Sequence, residues 1–77
     1  MIDRETGLIM AEQVIVDFAK SLNCKTYEDV EQAMDILVQK SVRAVEKHRG
    51  GPNAQILCQK VYADLINDPQ VPVPENR

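Results

Sequence analysis

Tryptophan is absent, and one phenylalanine and two tyrosines are all the aromatic residues in this 77-residue sequence. Aromatic rings bring the largest apolar areas to a core, so a core here has to be built from aliphatic residues and alanine. Breakers are scarce as well. There are three glycines and four prolines, and Pro69, Pro72 and Pro74 all fall within the last nine positions. The body of the chain is therefore free to form helices.

Histidine occurs once, as His48, and cysteine twice, as Cys24 and Cys58. A structural metal site needs several such ligands at close spacing; none stand so, and no metal or cofactor is expected. A Cys58–His48 thiol dyad is conceivable near the second corner, but no orienting group or oxyanion pocket accompanies it. The chain is read as non-enzymatic. The two cysteines would lie farther apart than the roughly 7 Å between Cα atoms that a disulfide allows, so buried free thiols are expected.

No apolar run approaches the roughly 20 residues of a membrane span. The opening MIDRETG lacks the basic start of a secretory signal, so a cytoplasmic protein without membrane contact is expected. Net charge is −3 and the sequence pI about 5.0. Nucleic-acid affinity rests on neutralising phosphates, so an acidic balance argues against a general nucleic-acid binder. At this length the chain forms one domain that buries only about 60% of its unfolded surface. Help from a partner chain is then the natural expectation.

What is present is a helical period throughout, with no stretch alternating at period two. Three helices are expected, over roughly 5–22, 27–49 and 54–67. Leu8, Ala11, Ile15, Phe18, Ala19 and Leu22 form the inner face of the first, with Val14 at its edge. Val30, Ala33, Met34, Leu37, Ser41, Ala44, Val45 and His48 form that of the second, and Ala54, Leu57, Cys58, Val61, Tyr62 and Leu65 that of the third. Thr26 with Asp29 three residues on matches a capping box. Gly50-Gly51-Pro52 stops the second helix, and Asn53 is expected to cap the third. Short loops imply antiparallel neighbours, so the fold expected is an all-α, three-helix antiparallel bundle, residues 1–68, completed by dimerisation. Residues 69–77 form an extended, Pro-rich mobile tail whose Pro69-Gln70-Val71-Pro72 formally matches P-x-x-P; an inert tail is the plainer reading.

The segment AKSLNCKTYEDVEQA, residues 19–33, has the outline of a DNA-reading helix-turn-helix. Ala19, Leu22, Asn23 and Cys24 fit its first part loosely. The second part fails, because the hydrophobic anchor falls on Asp29 and the would-be recognition helix opens with Glu28, Asp29 and Glu31 and continues to Asp35. Carboxylates there are repelled by phosphates. The segment reads as the corner of a bundle.

Two further features bear on function. Lys40, Arg43, Lys47, His48 and Arg49 gather at the end of the second helix. Cations there offset the helix dipole, which is the plainer reading; the functional one is a charged partner patch of Lys40, Arg43, Lys47 and Arg49. Second, apolar residues stand away from the inner faces. Ile9 and Val16 stack seven apart among Glu12, Gln13 and Lys20, Ile36 sits between Asp29, Arg43 and Lys47, and Ile56, Ala63 and Ile66 line the third helix. Burial of the first helix on several sides within one chain would also account for its line. The function expected is a small protein-protein interaction module, an adaptor, inhibitor or regulator, working as a homodimer through Ile9, Val16, Ile36, Ile56, Ala63 and Ile66. The alternative is a nucleic-acid-associated regulator that uses the basic end of the second helix.

Overall fold

The computed structural model describes residues 1–71 and is all-α. Its helices are α1 (Arg4–Ser21), α2 (Tyr27–Arg49) and α3 (Gly51–Asn67), and no strand occurs among the described residues. The chain divides into two compact units, Met1–Gln39 and Lys40–Arg77. The first holds α1 and the opening half of α2, and the second holds the closing half of α2 with α3. Most of the tail, residues 72–77 and with it Pro72 of the P-x-x-P, lies outside the described residues.

In the first unit, Asp3 stands at the N-cap of α1 without a side-chain cap hydrogen bond. The Thr6 hydroxyl instead donates to Asp3 Oδ2 at 2.6 Å. That bond holds the Asp3 carboxyl below its ordinary value, with nearby amides helping. At the other end, Asn23 takes a left-handed φ of 59°. The Asn23 N–H bonds to Lys20 O at 3.0 Å and the Cys24 N–H to Ala19 O at 3.2 Å. These are the two closing bonds of a Schellman motif, with Asn in the position that usually requires glycine.

The capping box at the start of α2 forms in full. Asp29 N–H donates to Thr26 Oγ1 at 3.0 Å, and Asp29 Oδ2 accepts from the Lys25 and Thr26 N–H groups at 2.9 and 3.2 Å. Those two amide bonds, Lys25 first, hold the Asp29 carboxyl below its ordinary value of 3.8.

In the second unit, α2 gives way to α3 across the single residue Gly50, at φ 94° and ψ 161°. Only glycine adopts that region without strain. Helix α3 therefore starts at Gly51, before the expected Asn53, and Pro52 occupies its first turn, where its missing N–H is not needed. Asn53 does not cap α3. Its Nδ2 donates to Arg49 O at 2.6 Å, satisfying a carbonyl at the end of the preceding helix.

Burial departs from the expected inner faces. In the first unit only Ala33 is buried, at 1% exposure; Phe18, Ala19, Cys24, Met34 and Leu37 are half-buried. In the second only Ala54 is buried, at 5%, with Val42, Val45 and Leu57 half-buried. Leu8, Ala11, Ile15, Leu22, Val30, Ser41, Ala44, His48, Cys58, Val61, Tyr62 and Leu65, all placed on inner faces by their spacing, are exposed. A helical period records which side chains share a face and carries no information on whether another element covers that face. Cys24 and Cys58 are free thiols, but Cys24 is half-buried and Cys58 exposed, which corrects the expectation that both are buried.

Candidate interaction surface

Between Leu8 and Val16, helix α1 carries six large aliphatic or thioether side chains in nine positions: Leu8, Ile9, Met10, Val14, Ile15 and Val16. At about 100° per residue they point to nearly every side of the helix. All six are exposed. Ile9 is 64% exposed and Val16 45%, but Leu8 at 54% and Ile15 at 40%, on the expected inner stripe, are equally open. A helix that is apolar all round is normally one that other elements enclose. The polar residues between are partly committed to their own helix, since Gln13 Nε2 donates to Asp17 Oδ1 at 2.9 Å.

Ile36, also in the first unit, is exposed on α2. Ile56, Ala63 and Ile66 are exposed on α3 in the second unit, where every described residue after Leu57 is exposed. The six apolar residues singled out from the sequence are thus all solvent-facing. Spacing alone did not reveal that much of the inner stripes of α1 and α3 is open too. A helix period marks which face is apolar, and nothing in the period records whether that face is covered.

Lys40, Arg43, Lys47 and Arg49 are all exposed. Arg43 is engaged, its Nη1 lying 2.8 Å from Glu46 Oε1 one turn on. An exposed pair of this kind contributes about 0–1 kcal/mol, yet it diverts one cation of the patch toward its own helix. The order of charge along α2 runs from Glu28 and Asp29 in its first turn to Lys47, His48 and Arg49 in its last. Each end therefore complements the helix dipole.

An open depression at the first corner is lined by Cys24, Lys25, Thr26, Tyr27 and Val30. Among the described residues no group of three or more His, Cys, Asp or Glu is placed to hold a metal ion. No helix among them is long and apolar enough to cross a membrane. No protein-family model, curated protein or solved structure matches this chain.

Proposed function

We propose that the chain is a non-enzymatic interaction module, an adaptor, inhibitor or regulator that acts by covering its exposed helix faces with a protein partner. One observation carries this reading: α1 is apolar on nearly all sides between Leu8 and Val16, and all six of its large apolar residues there are exposed. Removing one large aliphatic side chain from water contributes about 1.5–3 kcal/mol. Six large apolar side chains on about two and a half turns of helix form a strong drive toward a covering surface. The engagement of Arg43 by Glu46 weighs against the nucleic-acid alternative, because that cation already has a carboxylate neighbour.

The test is whether these positions are surface or core. Ile9→Glu and Val16→Glu are each expected to keep the far-ultraviolet circular dichroism of the parent chain. Collapse of helicity in either variant would mean that the line is buried core and the reading is wrong. A salt titration separates the alternative: nucleic-acid binding falls steeply as salt rises, whereas an apolar interface tolerates it.

A further inference from the structure

We infer that the occupant of the Ile9–Val16 face of α1 is a second copy of this chain, laid antiparallel across a two-fold axis between Glu12 and Gln13. The inference rests on the interaction reading above and adds the partner and the register. Ile9 and Val16 lie within about 20° of each other around the helix, and Glu5 and Lys20 lie about 30° to either side of their common line. All four side chains are exposed.

An antiparallel copy centred between residues 12 and 13 sets Ile9 against the second copy's Val16, and Val16 against its Ile9. In the same register Glu5 faces the second copy's Lys20, and Lys20 its Glu5, so both ends of the pair carry opposite charges. Glu12 meets Gln13, a neutral match. A parallel copy would set Glu5 on Glu5, Glu12 on Glu12 and Lys20 on Lys20, three like-on-like layers that electrostatics disfavours. The face is self-complementary in one direction only.

The size of the face sets the affinity class. An 18-residue helix is about 27 Å long and about 10 Å wide. One such strip buries less than the roughly 1,200 Å² of a standard stable complex. The dimer is accordingly weak and concentration-dependent.

Sedimentation equilibrium of the full chain up to about 1 mM, a range that reads millimolar constants, tests this with four proteins: the parent, Glu5→Lys, Lys20→Glu and the double exchange. The parent is expected to dimerise. Each single reversal touches both symmetry-related ends and weakens the dimer about tenfold, and the double exchange recovers the parent constant to within about threefold. The rescue is discriminating because each reversal also opposes the dipole of α1; on helix stability alone the double exchange would be the worst of the four. If a reversal lowers helicity, Glu5→Gln and Lys20→Gln take its place, with a smaller weakening expected for each. A monomeric parent, insensitivity to the charge changes, or a double exchange no tighter than the weaker single would each overturn the proposal. A monomeric parent whose Ile9→Glu variant stays helical overturns the second copy and leaves the interaction reading intact. Loss of helicity in Ile9→Glu overturns the reading itself.

Discussion

The two corners of this chain turn it by opposite means. At the first, between α1 and α2, five residues make a Schellman closure and a complete capping box, so the turn is held by hydrogen bonds from backbone and side chains alike. At the second a single glycine does the work, with φ of 94° and no side-chain cap on the helix that follows. The first corner distributes its specification over Asn23, Thr26 and Asp29. The second concentrates it in one backbone conformation. Losses at the first should be partial, and a loss at the second should be abrupt.

The largest effect is expected from Gly50→Ala. An added Cβ would meet only Pro52 Cδ at 3.8 Å, an ordinary contact, so the cost lies in the backbone. Holding a residue other than glycine in that region costs about 1–3 kcal/mol, to be read as a lowered urea midpoint. An unchanged midpoint would mean that the corner relaxes to another conformation and is not specified by Gly50. Next comes Thr26→Ala, which removes one acceptor of the capping box at a cost of about 1 kcal/mol. Thr26→Ser should restore most of it, and a serine variant as weak as the alanine one would assign the loss to packing of the methyl group.

The corners also differ in how far they could be read in advance. Thr26 and Asp29 announce their box because the motif is local, four residues long and made of side chains with one preferred use. The GGPN segment does not, because an Asn beside a helix end can donate to the last carbonyls of one helix or accept from the first amides of the next. The glycine conformation decides between these, and that is a property of backbone geometry with no residue-level signature. The three helices were legible from their period, whereas the coverage of their faces was not. Leu8, Ile15 and Leu22 share a stripe with Phe18, yet of the four only Phe18 is half-buried. For the interaction surface the legible part was Ile9 and Val16, conspicuous among charged neighbours. The openness of the rest of α1 required the structure.

A smaller effect separates the corners by pH. Asp29 has its carboxyl lowered by amide hydrogen bonds, so the folded form binds its proton less readily than the unfolded form. The contribution is complete above the ordinary value of 3.8 and is lost as pH falls through the lower folded value. Asp3, bonded to Thr6 in the first turn of α1, behaves in the same sense, so the first unit carries both groups. Measured by urea midpoint, the parent should exceed Asp29→Asn at pH 6, and the difference should shrink below about pH 4. A difference that does not shrink at all on acidification would assign the loss to the geometry of the Asn amide and not to the charge.

The smallest effect, and the sharpest control on the second corner, is Gly51→Ala. Gly51 is the first residue of α3, and a Cβ built on it meets nothing within 4 Å. Its φ is not in the left-handed region, since Gly50 is the one glycine with a positive value. Alanine at a compatible position restricts the unfolded chain and stabilises by about 0.4–1 kcal/mol. Adjacent glycines in one turn should therefore respond with opposite signs, Gly50→Ala lowering the urea midpoint and Gly51→Ala raising it slightly. Equal losses at both would mean that the turn needs two flexible residues, and that its φ of 94° is not the feature that fixes where α2 ends and α3 begins.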